Sequence, residues 1–225
     1  MSPRRPGSGQ NATPQDEPAS ERGWVEPGLA AELPGLGIRY AVVDGGPTRT
    51  PPQVRHRLRA LSDRFAGPQA IHLRHQAIPR AYRVFFRHIG LDPDEQRTPV
   101  ERLALERMFH GGFPSRNLLD DAIAIAIVES GVALRAFDAE RLGGAPGIRP
   151  AGPGDELGGR ALAPGTLVLT DELRPLDLLF GETAGAPCEP TRRTRRALIA
   201  AIGVRGVPEI ALEEAIWLAA SVIRS

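Results

Sequence analysis

Residues 97–142, RTPVERLALERMFHGGFPSRNLLDDAIAIAIVESGVALRAFDAERL, decide the fold. Thr98-Pro99-Val100-Glu101 has the form of a capping box, with a hydroxyl at the N-cap, proline at the first helical position and a glutamate reaching back. The helix that starts there runs through Val100, Leu103, Leu105 and Met108 until Gly111-Gly112, a pair suited to the left-handed conformation that ends helices. Phe113-Pro114-Ser115 cannot continue it, so the chain turns sharply. Asp120 and Asp121 then stand at the head of an almost wholly apolar run, residues 122–128. In that run Ile123, Ile125 and Ile127 alternate with alanines, which suits a buried strand as well as a helix. The preceding aspartates suit a helix N-terminus and the length to Glu129 is long for a strand, so a helix is expected.

Outward from this pair of helices, residues 38–43 (IRYAVV) read as a buried strand ending at Asp44-Gly45-Gly46. Pro51 opens a helix with Val54, Leu58, Leu61 and Phe65 inward and a basic outer face of Arg55, His56, Arg59 and Arg64. Tyr82, Phe85, Phe86 and Ile89 follow helical spacing as a core stripe, and that helix stops at Gly90. Downstream, strands are expected at 132–137, 147–149, 166–170, 176–180 and 196–204. A last amphipathic helix over 208–223 carries Ile210, Ile216, Leu218, Ala219 and Val222 and should cover one face of a sheet.

The chain has 225 residues, 41% hydrophobic and 24% charged, enough for one globular core. A formal charge of +1 supplies no general attraction to RNA, so any such binding must come from local patches. All 28 basic residues are arginine, and with 25 Gly and 22 Pro this reads as coding bias more than design. A lone cysteine, Cys188, allows no intrachain disulfide, which suits a reducing cytoplasm. As a nucleophile it has no identifiable histidine partner. His72 and His75 lack a third ligand nearby, so no metal is assigned, and no glycine-rich segment matches a phosphate loop, so no cofactor is expected. The first residues mix Pro, Gly, Ser and charge without an apolar segment, so residues 1–30 are expected to be a disordered tail and 31–225 the folded domain. No apolar run reaches membrane-spanning length.

Arg97, Thr98, Glu101, Leu103, Arg107, Gly111, Gly112, Pro114, Asn117 and Asp121, then Ala136-Phe137-Asp138 with Arg141-Leu142, Gly154-Asp155-Glu156 and residues 179–185 (LFGETAG), together form a pattern. It resembles the B3/B4 domain of the phenylalanyl-tRNA synthetase β subunit, and more closely its stand-alone relatives, over roughly residues 33–224. The resemblance implies an α/β (α+β) fold, a mixed and mostly antiparallel sheet packed with helices. It also implies tRNA or another RNA as partner, and hydrolysis of a mischarged aminoacyl-tRNA in trans. The chain departs from the pattern where Arg135 replaces a histidine, Ala124 an asparagine and Asp120 a valine. It holds no class II catalytic segment, so charging of tRNA is not expected.

Editing hydrolyses an aminoacyl ester, which needs a held water, donors for the developing oxyanion and a pocket for the side chain. The resemblance places Gly181 and Glu182 in the loop that reads a tyrosine hydroxyl; otherwise Glu182 is a solvated loop acid. Asp121 is either a pocket acid or a helix-capping carboxylate, and Asn117 has the same two readings. Gly111, Gly112 and Pro114 shape the corner. Arg135 either meets an RNA phosphate or ribose, or pairs with a neighbouring acid. Arg192, Arg193, Arg195 and Arg196 either hold an RNA backbone or lie along a solvated strand edge. The same pocket also suits a non-catalytic protein that binds an amino acid or another small ligand.

Overall fold

The computed structural model describes residues 19–65, 72–181 and 183–225. In chain order the elements are strands β1 (Glu21–Arg22) and β2 (Trp24–Val25), helix α1 (Pro27–Glu32), strand β3 (Gly37–Asp44), and helices α2 (Pro52–Arg64), α3 (Ala77–His88), α4 (Pro99–His110) and α5 (Leu118–Ser130). Strands β4 (Ala133–Asp138), β5 (Gly147–Pro150), β6 (Glu156–Leu157), β7 (Arg160–Ala161), β8 (Leu167–Thr170), β9 (Pro175–Leu178) and β10 (Arg196–Gly203) follow, and helix α6 (Glu209–Ile223) closes the chain. One four-stranded sheet has the order β1-β3-β10-β4, a second the order β2-β5-β8-β9, and β6-β7 form a hairpin. Every pairing is antiparallel except β2 with β5. The protein is thus a mixed α+β structure with mostly antiparallel sheets, two of them rather than one.

The central strand β10 explains the layering. Its residues alternate between two hydrophobic cores, as the two-residue period of a strand requires. Ala197, Ile199 and Ala201 join the core containing Val54, Leu58, Val100, Leu119, Ile125 and Ile216. Leu198, Ala200 and Ile202 join the core containing Tyr82, Phe86, Ile148, Leu169 and Leu176. Helices α2, α4, α5 and α6 therefore lie on one face of the first sheet, while α3 and the second sheet cover the other. A strand buried on both faces reads as a continuous apolar run, as RALIAAIG does. Each fully buried isoleucine there contributes about 2 kcal/mol of transfer free energy.

Local signals become structure where they are strongest. The capping box at Thr98 and Glu101 is formed, and Gly111 ends α4 at φ +71°. Glu101 does more than cap: its Oε1 accepts from Arg83 Nη1 at 2.7 Å, with both side chains more than nine-tenths buried. Residues 122–128 are helical within α5, which Gly131 ends at φ +75°. The hairpin β6-β7 turns on Gly158 and Gly159, both at positive φ, the signature of a two-residue primed turn. Tyr82 donates its hydroxyl to Ile202 O, accepts from Ala133 N and so ties α3 to the sheet; burial pushes its phenol far up.

Two expectations are corrected. The chain is structured from Glu21, not from residue 31, because β1 extends the first sheet and Trp24 lies across Gly147 with its indole donating to Ala145 O. Residues 1–18 of the expected tail lie outside the described residues. Leu105, Met108 and Phe109 of α4 are exposed, Phe109 by 80%. They follow Ala104, the last residue of α4 in the core, so the end of the helix projects past it. Ile210, in the first turn of α6, is likewise exposed.

Candidate functional site

Strand β4 is an edge of the first sheet, and a cleft of about 730 Å³ opens along it. Leu134, Arg135, Ala136 and Phe137 form one wall. Pro99, Arg102, Leu103 and Glu106 of α4 and Asp120, Ile123, Ala124 and Ile127 of α5 form the opposite side. Thr183, Ala184, Ala186, Glu189 and Pro190, from the segment after β9, close it, with Asp177 of β9 and Arg116 of the corner between α4 and α5.

Helical spacing accounts for these positions. Residues 99, 102, 103 and 106 share one face of α4, and 120, 123, 124 and 127 share one face of α5. The Gly-Gly-Phe-Pro corner lets the two faces converge. Asp121 braces that corner from inside: its carboxylate accepts from Thr50 Oγ1 and Ser115 Oγ at 2.6 Å and from Arg116 N at 2.8 Å. At 1% exposure it does not line the cleft. Asn117 is the N-cap of α5, its Oδ1 accepting from Asp120 N at 3.0 Å while its Nδ2 donates to Asp120 Oδ2 at 2.7 Å. Asn117 thus positions Asp120, the residue that does reach the cleft.

Arg135 and Asp177 form a mostly buried ion pair in the cleft wall. Arg135 Nη2 lies 2.7 Å from Asp177 Oδ2, with side chains 17% and 10% exposed. Asp177 Oδ1 accepts from Leu178 N at 2.9 Å and Thr183 N at 3.1 Å. Burial pushes the Asp177 carboxyl above its ordinary value, and Arg135 and the two amides only partly offset this. Of the two readings of Arg135, the geometry realises pairing with an acid, although the residue still lines the cleft. Asp177 is a site residue that the sequence analysis missed. The available signal was one acid inside the apolar strand PLDL, which needs a partner once buried.

Glu182 lies outside the described residues. Both sides of its position are anchored. Phe180 packs against Tyr82, Phe85 and Phe86 with ring centroids 6.0, 5.8 and 4.9 Å away, and Thr183 is held by Asp177 and lines the cleft. Gly181 does not line it; a Cβ there would lie 2.7 Å from Leu178, so glycine is required for packing.

Arg192, Arg193 and Arg195 lie in the exposed segment that continues from the cleft residues Glu189 and Pro190, and Arg196, also exposed, opens β10. Thr194 roots the segment through its buried Oγ1, which donates to Asp138 Oδ2 at 2.6 Å. Arg196 lies 3.6 Å from the exposed Asp44, and Arg195 donates to Arg192 O at 3.2 Å. Arg192 and Arg193 make no ion pair among the described residues.

Chemically, the cleft offers carboxylates to orient water and guanidiniums to meet negative charge. Among its described lining residues Thr183 is the one hydroxyl, and there is no histidine or cysteine. Cys188 is buried and does not line the cleft; its Sγ donates to Arg141 O at 3.2 Å, and burial pushes its thiol up. Among the described residues no three metal-ligating side chains converge, and no helix is long and apolar enough to cross a membrane. Comparison with known proteins found no matching family model and no matching curated protein.

Proposed function

We propose that this chain is a tRNA-binding protein of the B3/B4 kind whose cleft receives the aminoacyl end of a mischarged tRNA and hydrolyses the ester in trans. One observation carries the reading: α4, α5, β4 and the segment adjoining Glu182 converge on a single cleft containing Asp120, Arg135 and Asp177. A carboxylate there holds the attacking water, and Arg135 faces the charge that develops on the carbonyl oxygen. Glu182 reads a substrate hydroxyl. The arginine turn beside the cleft contacts the RNA backbone, and such a substrate accords with a cytoplasmic location. No cofactor enters this scheme.

The test is loss of ester from tyrosyl-tRNA with the wild-type protein and with Glu182→Ala. Acceleration by the wild type and its loss in the variant support the reading. No acceleration of any mischarged tRNA rejects hydrolysis. Titrating tRNA binding against salt tests the arginine turn, since phosphate contacts make affinity fall steeply with ionic strength.

A second reading has its own support. Arg135 is engaged by Asp177, and the cleft sets both signs of charge side by side without a histidine, as a non-catalytic site for a zwitterionic amino acid would. Saturable binding of a free amino acid without ester hydrolysis selects it.

A further inference from the structure

A second concavity, of about 420 Å³, shares no residue with the cleft. One wall is a face of α3, where Arg80, Ala81, Val84, Phe85 and His88 recur at helical spacing. Leu33 and Pro34, after α1, form the second wall, and Arg205-Gly206, between β10 and α6, the third. The three walls are locked together at two glycines. A Cβ at Gly35, φ +91°, would lie 3.0 Å from the Arg205 backbone, and one at Gly206, φ +95°, would lie 3.3 Å from Ala81 Cβ. Each close approach needs glycine for both space and conformation. The groove is therefore built into the fold, with Arg205 fixed at its edge.

Its chemistry is one-sided. The floor is apolar, and Val84 stands 55% exposed within it. The charged or ionisable lining residues are Arg80, His88 and Arg205, with no acid among the described lining. All three are exposed, and neither arginine forms an ion pair with a described residue. Arg39 and Arg57, by contrast, are matched with acids, Glu213 and Glu129. The volume falls within the range of small-ligand sites, roughly 300–1,000 Å³.

We propose that this groove binds an amphipathic monoanion, an aliphatic chain ending in a carboxylate. The chain lies over Val84, Phe85 and Leu33, and the carboxylate meets the guanidiniums of Arg80 and Arg205. This holds whether or not the cleft acts on tRNA.

Octanoate below its micellar concentration is the probe, followed through the Val84 methyl resonances. The expected result is a saturable, single-site shift. Affinity should fall at least tenfold in the Arg80→Gln/Arg205→Gln double variant, and at least tenfold when neutral 1-octanol replaces octanoate. Both arginines are exposed, so the variant should unfold at the same temperature as the wild type. Shifts without saturation, or equal affinity for octanoate and octanol, would mean adsorption to apolar surface and would overturn the proposal. Val84 shifts that follow protein concentration alone would assign the groove to a second copy of the chain, and would overturn it too.

Discussion

Glu101 carries two loads. It closes the cap at Thr98, and it neutralises Arg83, whose other nitrogen lies 2.8 Å from Asp94. Removing one member of a buried ion pair strands the other, at a cost of roughly 3–5 kcal/mol. Glu101→Ala should therefore lose about 3 kcal/mol in urea unfolding; a loss below about 1 kcal/mol would contradict the buried pair. Asp177 makes the opposite demand, because its carboxyl is raised, mainly by burial. Its folded form takes up a proton more readily than its unfolded form, so its stabilising contribution is complete at the acid end and is lost as pH rises through its folded pKa. The stability of the wild type relative to Asp177→Asn should therefore be greatest in acid and decline through and above the usual carboxylate range. A difference that rose with pH over that window would show that Arg135 outweighs burial. Of the expected site residues, Asn117 and Asp121 were ambiguous in sequence because a capping acid and a pocket acid look alike. What resolved Asp121 was Thr50, 71 positions away.

At the scale of elements, legibility followed locality. The capping box, the glycine stops of α4 and α5 and the continuous apolar run of β10 are all written within a few residues, and the structure forms them. The two-residue strands β1 and β2 have no period to read, which is why the domain begins earlier than composition suggested. Trp24 shows how firmly that early segment is held. A Cβ on Gly147 would fall 2.2 Å from the indole. Gly147→Ala should thus expel the ring, at a cost of about 1–3 kcal/mol for overpacking, and shift Trp24 fluorescence towards that of a solvated indole. An unchanged spectrum and stability would mean that the N-terminal strands are not packed as described. The exposed end of α4 was illegible for a related reason: Leu105 and Met108 fit helical spacing, but nothing local reveals where the neighbouring core stops.

The whole molecule sets one strand, β10, between two cores and leaves the edge of β4 open, and the cleft is what remains uncovered there. No local pattern announces it. Arg135 and Asp177 belong to different sheets, and their meeting depends on how the two sheets pack together. Arg135 alone was open to two readings in sequence; pairing it with Asp177 required the fold. Filling the cleft separates the proposed hydrolysis of mischarged tRNA from RNA binding alone. Ala124 faces the cleft from α5, so Ala124→Trp should occupy the space while leaving the arginine turn free. The decisive measurement is the initial rate of ester loss from mischarged tRNA at saturating RNA. The expected result is acceleration by the wild type and a rate near the uncatalysed one for Ala124→Trp, with tRNA affinity and circular dichroism preserved. Equal rates for the two folded proteins would place the chemistry elsewhere.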